Sequence, residues 1–167
     1  MITLNIYNFH SEPESLELYH KSNDELPGIF FKKYKDQPGE LKNREDVIAK
    51  SPYFSYIYAR DVLNRSFPKG EKILATDGKF AYFYAMYVLG ERFPKGEDAI
   101  ATHHAEWAYR YAKEILEGPF PKGEDIIATD YRYAFFYAKE ILQGPFPKGE
   151  KAIIDSIFKD DYKELTR

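Results

Sequence analysis

Two adjacent histidines, His103 and His104, lie close to Glu106 and are the first residues of this sequence that could bind a metal ion. Adjacent side chains point in different directions on a helix, so two such histidines rarely share one metal ion. The sequence has no cysteine and no third histidine nearby to complete a ligand set. A solvated turn is therefore the preferred interpretation of this pair, and we predict neither a metal site nor a cofactor.

Sequence motifs typical of enzymes are missing from the chain. It contains no GxSxG, no HExxH and no GxxxxGK[ST], and its recurring PKGE turn has a single glycine where a phosphate-binding loop needs more. No catalytic residue is predicted, and a non-enzymatic protein is favoured. An enzyme with a site between the N-terminal segment and the rest of the chain stays open as an alternative.

Four lysines recur at one place in a repeated turn and could form a ladder along one edge of the protein: Lys69, Lys95, Lys122 and Lys148. Such a ladder could bind an acidic partner or a phosphate backbone. A glutamate follows each lysine two residues later and neutralises much of its field. Solubility of the turn is the favoured interpretation, and nucleic-acid or nucleotide binding is the alternative.

The overall composition limits the classes of partner and the compartment. The chain has 167 residues and a formal net charge of −3, from 24 basic and 27 acidic side chains, so general nucleic-acid binding is not favoured on charge. The absence of cysteine rules out disulfides and thiol catalysis. No apolar run is long enough for a membrane span, and the N-terminus does not resemble a signal peptide. We expect a cytoplasmic protein that does not enter membranes.

The histidines and lysines described above belong to a repeated unit, and the fold of that unit positions their side chains. Phe67, Phe93, Phe120 and Phe146 each begin the phrase FPKGE, at intervals of 26 or 27 residues. A fifth copy without these letters, NREDVIAKSPYFSYIYARDVL, begins at Asn43. Fixed periods of this length are typical of stacked repeat proteins.

Each repeat is predicted to hold a short first helix and a longer second helix. Ser51, Asp77 and Asp130 are predicted N-caps of second helices, with Thr102 or His103 in that role in the third repeat. The second helix has a buried stripe that recurs in every repeat, for example Phe80, Ala81, Tyr84, Ala85, Val88 and Leu89. Its paired alanines should let a neighbouring helix approach closely. The predicted helix ends, in the left-handed conformation, are Gly90, Gly118 and Gly144.

The pattern predicts an all-α fold, a small right-handed α-solenoid of about five two-helix repeats. Three segments are expected: a non-repeat N-terminal cap or arm over 1–42, tandem repeats over 43–154, and a polar capping helix over 155–167. The stretch ITLNIYNF alternates enough to suggest a short strand within the cap. A partner-binding arm is the alternative interpretation of residues 1–42.

The phrase FPKGE…IA…YAxxYAKEIL resembles short tandem repeats in uncharacterised proteins of bacteriophages and large DNA viruses. The resemblance covers residues 43–154. It implies a helical repeat fold and a viral source, and it carries no catalytic residue to transfer.

Differences among the repeats indicate where a partner could bind. On the outer side of the second helix, the second repeat has Phe83, Met86 and Tyr87 where other repeats have mostly charged side chains. Exposed apolar clusters often mark contact sites. Together with Arg110 and Phe136 at the position of Phe83, they are the predicted partner-binding residues. The alternative is that the N-terminal arm covers them.

Overall fold

The computed structural model describes Lys33 and residues 36–167, which divide after Leu74 into two compact units. Within these residues the chain forms helices joined by short turns and no strand, which confirms the predicted all-α class. The predicted strand over ITLNIYNF lies outside the described residues. The boundaries predicted at 42/43 and 154/155, the stacking of all five repeats and the handedness of the solenoid stay predictions.

The unit that ends at Leu74 contains four described helices. The part of the second repeat that lies in this unit is the first helix of that repeat. A π-helical turn over Tyr58–Leu63 continues the third of the four helices. The helices are α1 (Pro38–Lys42), α2 (Glu45–Ile48), α3 (Pro52–Ile57) and α4 (Pro68–Leu74).

The unit Ala75–Arg167 contains the remaining seven helices. Three of them continue into π-helical turns, at Ala85–Leu89, Ala112–Leu116 and Tyr137–Leu142. Short 3-10 turns at Pro94–Gly96 and Pro121–Gly123 precede two first helices. The helices are α5 (Gly78–Tyr84), α6 (Glu97–His103), α7 (Ala105–Tyr111), α8 (Glu124–Ile127), α9 (Tyr131–Phe136), α10 (Glu150–Ile154) and α11 (Lys159–Leu165).

Side-chain caps begin the second helices as predicted in three repeats. Ser51, Asp77 and Asp130 each accept a hydrogen bond from a backbone N–H of the first turn. In the third repeat the prediction of Thr102 or His103 was wrong, because His104 has the extended backbone of an N-cap and its Nδ1 accepts from the Glu106 N–H.

The ends of the second helices differ from the prediction in two of three repeats. Gly90 has the expected left-handed backbone, with φ of 66°. The left-handed residue is otherwise not the glycine but the residue before it, Glu117 and Gln143, while Gly118 and Gly144 have no positive φ. The left-handed residue directly follows the leucine that ends the π-helical turn in all three repeats, and Gly118 and Gly144 lie one residue beyond it.

Small residues let consecutive repeats of the second unit approach closely. Each second helix packs against the first helix of the next repeat, α5 on α6, α7 on α8 and α9 on α10. At these contacts a Cβ added to Gly96 would lie 2.7 Å from the Ala81 Cβ, too close for two carbon atoms. The predicted alanine pairs are fully buried, which confirms their role in close packing.

A second row of aromatic side chains, which the predicted stripe did not include, is also buried. Tyr82 is fully enclosed, and the equivalent residues Tyr56, Tyr109 and Phe135 are almost so. They lie between the predicted stripe and the outer positions of the helix. Their burial makes the apolar face of each second helix broader than a single stripe.

A buried hydrogen-bonded relay connects the FPKGE turn of a repeat to the two helices of the same repeat. The Phe93 N–H donates to the Tyr111 hydroxyl at 3.0 Å, and this hydroxyl donates to the Glu97 carboxylate at 3.0 Å. The next repeat has the same arrangement, from the Phe120 N–H to Tyr137 and on to Glu124. The tyrosine thus satisfies the buried N–H of the phenylalanine that begins its repeat and binds a glutamate of the same repeat.

Ionisation of these tyrosines should weaken the fold at alkaline pH. Burial, reinforced by the nearby carboxylates, raises the pKa of Tyr111 and of Tyr137 from about 10 to about 12. Above pH 10 the unfolded chain therefore loses protons that the folded chain retains, so the free energy of unfolding should fall as the pH rises from about 10 to about 12. Urea titrations between pH 9 and pH 11.5 would measure this slope.

Lysines also deprotonate in that range, so a variant is needed to isolate the tyrosine contribution. Tyr111→Phe should make the dependence on pH shallower between pH 10 and pH 11.5. A slope identical to that of the parent chain would contradict this explanation.

After Ile154 the last repeat continues in a shortened form. Its hydroxyl contact persists, because the Phe146 N–H donates to Tyr162 at 2.9 Å. Lys159 and Lys163 occupy the places that Ala134 and Ala138 hold in the repeat before. Long charged side chains there would keep a further repeat from approaching, which suits the predicted capping role of α11.

Candidate functional site

The predicted partner-binding residues of the second repeat lie around one cluster of rings on α5 and α7. Phe83 contacts Tyr87 at 5.8 Å and Trp107 at 5.4 Å between ring centroids. Tyr87 is 55% exposed, whereas Phe83, Met86 and Trp107 are half-buried. We call Phe83, Met86, Tyr87 and Trp107 the aromatic face.

Trp107 joins the aromatic face although its position predicted a buried residue. Its indole stacks on the fully buried Tyr82 ring at 5.7 Å, with 24° between the planes, and it meets the Phe83 ring in a T-shaped contact. This placement of Trp107 is evident from the contacts between neighbouring repeats and not from its position in the repeat. Its equivalents, Phe80 and Tyr133, are buried and half-buried respectively, so the sequence period alone could not separate them.

Two cations lie over the rings of the aromatic face. The Lys79 Nζ is 5.5 Å from the Phe83 centroid and 6.0 Å from that of Trp107. The Arg110 guanidinium lies 6.0 Å from the Trp107 centroid. A cation over a ring face is attracted by the electrons of the ring, so both side chains are held at the rim of the cluster.

Arg110 is also fixed by carboxylates on its own helix. Its Nε is 3.0 Å from Glu106, and its Nη1 is 3.9 Å from Glu114. The Tyr82 hydroxyl donates a short hydrogen bond to Glu114. Burial raises the pKa of Tyr82, and the bond to Glu114 adds to the shift, so this tyrosine stays neutral and donating. The charged rim next to the rings is therefore largely preorganised.

Phe136 belongs to a different cluster of rings. It contacts Phe135 and Phe158, at 5.7 and 5.8 Å between centroids, and lies 6.3 Å from Tyr109. The structure thus brings Phe83, Tyr87 and Arg110 together around Trp107. Among its described ring contacts, Phe136 reaches only the side chains of the last two repeats and Tyr109.

Carboxylates of the preceding repeat bind three lysines of the predicted ladder. Lys69, Lys122 and Lys148 lie 2.9, 2.6 and 2.9 Å from Asp46, Asp98 and Asp125. Neutralisation was expected from the glutamate two residues after each lysine, and it comes instead from the preceding repeat. These pairs are exposed, so each is worth little stability, but each offsets much of the charge of its lysine.

The histidine pair has structural contacts to the backbone. The His103 Nδ1 accepts from the Gly78 N–H at 3.0 Å, and His104 caps α7. Across the described residues, no group of three or more His, Cys, Asp or Glu side chains is arranged to hold a metal ion. Helices in the same part of the chain are all too short or too polar to cross a membrane.

A groove of about 540 Å³ lies between the second and third FPKGE turns, away from the residues of the aromatic face. Arg92 and Lys122 line it, as does the buried Glu97. The sequence signal for this site is Arg92 itself, because the residue before the FPKGE phenylalanine is Ser66, Pro119 or Pro145 in the other repeats.

Comparison with known proteins returns no match. No protein-family model, no curated protein and no solved structure is similar to this chain.

Proposed function

We propose that this chain is a non-enzymatic helical-repeat protein that binds a protein partner through the aromatic face. The observation that carries the proposal is Tyr87, an aromatic side chain 55% exposed above two half-buried rings. A ring held in this way can be buried by a partner with little loss of side-chain entropy. The partner is expected to present an apolar centre with carboxylates that reach Lys79 and Arg110.

The resemblance of residues 43–154 to phage and large-virus repeats extends the proposal. In this form the protein is viral, it acts in the host cytoplasm, and its partner is a host protein. A defence factor or a nucleic-acid-processing enzyme, blocked by occlusion of its surface, is the class of target we infer.

Nucleic-acid binding through the lysine ladder is the weaker proposal. Lys69, Lys122 and Lys148 are bound to carboxylates, and releasing them would offset part of the gain from phosphate contacts. Binding to oligonucleotides that weakens steeply with salt would favour this alternative over a protein partner.

The test compares capture of host proteins by the tagged chain and two variants. Tyr87→Ser should lose the captured protein, or weaken its measured Kd at least about tenfold, because aromatic residues at the centre of an interface carry much of its energy. Ile157→Ser is the matched control, since Ile157 is 83% exposed and lies outside the aromatic face. It should leave capture and Kd unchanged.

Stability must be measured in parallel, because Phe83 packs on Trp107 and its replacement would also damage the fold. Tyr87→Ser should change the free energy of unfolding by no more than about 0.5 kcal/mol. Capture that survives Tyr87→Ser and disappears in Ile157→Ser would overturn the proposal and place the interface at the C-terminal repeat.

A further inference from the structure

The groove between the second and third FPKGE turns combines an apolar floor with charged walls. Ile115, Leu116 and Pro119 supply aliphatic surface, and Arg92, Glu97 and Lys122 supply the charges. Its volume of about 540 Å³ is in the range of sites that bind small molecules or the end of a peptide.

Two cations of the groove are each paired to one carboxylate. Arg92 donates from Nε and Nη2 to one oxygen of Glu97, at 3.0 and 2.8 Å, and these two bonds do not use its Nη1. The carboxylate bound to Lys122 is that of Asp98, which is not part of the lining. Two cations and one carboxylate therefore line the groove, and Asp98 balances the charge of Lys122 from outside the lining.

Both cations are accessible to a ligand. The side chains of Arg92 and Lys122 are 60% and 50% exposed. The two like charges also repel each other. The pKa of Lys122 is raised mainly by its hydrogen bond to Asp98, and the charge of Arg92 opposes that rise. An anion between the two cations would relieve this repulsion.

The next repeat shows what the same turn looks like without the arginine. There Pro119 takes the place of Arg92, and Lys148 is bound to both Glu124 and Asp125, at 3.5 and 2.9 Å. In the third repeat Arg92 binds Glu97 instead, and Lys122 has only the Asp98 contact among the ion pairs of the described residues. Arg92 thus turns a common turn into a groove with two cations.

We propose that this groove binds a carboxylate carried on an apolar body, with the carboxylate between Arg92 and Lys122 and the body on Ile115, Leu116 and Pro119. Two sources share this chemistry, a free apolar carboxylic acid and the C-terminal residue of a peptide. The inference does not depend on the proposed function, because it uses none of the residues of the aromatic face.

The experiment follows backbone amide shifts of the ¹⁵N-labelled full chain by NMR during titration with N-acetyl-leucine. Saturable shifts are expected at residues 92–97 and 115–122. N-acetyl-leucinamide, which lacks the negative charge, and acetate, which lacks the apolar body, should each bind at least about tenfold more weakly. A tripeptide, acetyl-Ala-Ala-Leu, separates the sources: tighter binding than N-acetyl-leucine indicates a peptide terminus, and equal or weaker binding indicates a free acid.

Variants decide whether the two cations are responsible. Arg92→Ser, which copies Ser66 of the preceding repeat, and Lys122→Gln should each weaken binding of N-acetyl-leucine at least about fivefold. Lys148→Gln, the equivalent change in the next repeat, should leave it unchanged. Lys122→Gln keeps the test valid if Arg92→Ser perturbs the fold around Glu97. Equal shifts with the amide, shifts spread over the whole chain, or no effect of Lys122→Gln would overturn the proposal.

Discussion

Replacing Gly123 with alanine is expected to lower the free energy of unfolding by about 2–3 kcal/mol. The backbone at Gly123 has φ of −93°, which alanine adopts readily, so backbone strain is not the cause. The cause is space: an added Cβ would lie 2.5 and 2.7 Å from two ring atoms of Phe120 and 3.1 Å from the Ala108 Cβ. Phe120 is buried, so its ring cannot move aside without displacing the neighbouring repeat.

The same turn offers a matched control for this substitution. At Gly118 an added Cβ would meet only the Leu116 carbonyl oxygen, at 3.7 Å, and the backbone has no positive φ. Gly118→Ala should therefore change stability by no more than about 1 kcal/mol, and in the stabilising direction if it only restricts the unfolded chain. Urea denaturation followed by circular dichroism measures both variants.

A double-mutant cycle identifies the clashing group. In a Phe120→Leu background the smaller side chain leaves room, so Gly123→Ala should cost less there than in the parent chain. Equal losses from Gly123→Ala and Gly118→Ala, or a cost of Gly123→Ala that ignores residue 120, would contradict the steric explanation.

The repeat pattern of the sequence predicts the features that depend only on residues within one repeat. The two helices of a repeat, the caps Ser51, Asp77 and Asp130, and the small buried residues follow from local patterns of polarity and size. Ser55 illustrates this: it stands where other repeats have alanine, and its hydroxyl donates to the Ile48 carbonyl at 3.1 Å, so it is buried without an unsatisfied group.

Features that depend on a neighbouring repeat were not accessible in the same way. Tyr82 lies beside the predicted stripe on α5. Its burial depends on Trp107 of the next repeat, which stacks on it. The left-handed position after the π-helical turn falls on Glu117 and Gln143, residues with no intrinsic preference for it. The groove at Arg92 likewise needs two turns that are 27 residues apart in the chain.

Replacing Tyr111 with phenylalanine is the second change for which a large effect is expected, a loss of about 2–3 kcal/mol in the free energy of unfolding. The ring is fully buried and would stay in place, so only the hydroxyl is lost. Without the hydroxyl, the Phe93 N–H has no acceptor. The buried Glu97 loses the tyrosine as a donor and keeps Arg92 as a donor. An unsatisfied buried group costs more than the bond it replaces.

The equivalent tyrosines give a graded series. Tyr137→Phe should cost about as much, because it removes the same two contacts in the next repeat. Tyr162→Phe should cost less, since its described hydrogen bonds through the hydroxyl include the Phe146 N–H and no glutamate. Tyr133→Phe is the control, because the Tyr133 hydroxyl makes no hydrogen bond to the described residues, and it should change stability by no more than about 0.5 kcal/mol.

Thermal and urea unfolding of the four variants, with Glu97→Gln combined with Tyr111→Phe, would separate the two halves of the relay. If the tyrosine supports Glu97, the double variant should lose less than the sum of the single losses. Additive losses would mean that the Phe93 N–H accounts for the whole effect. A Tyr111→Phe variant as stable as Tyr133→Phe would show that the relay does not stabilise the repeat in which it lies.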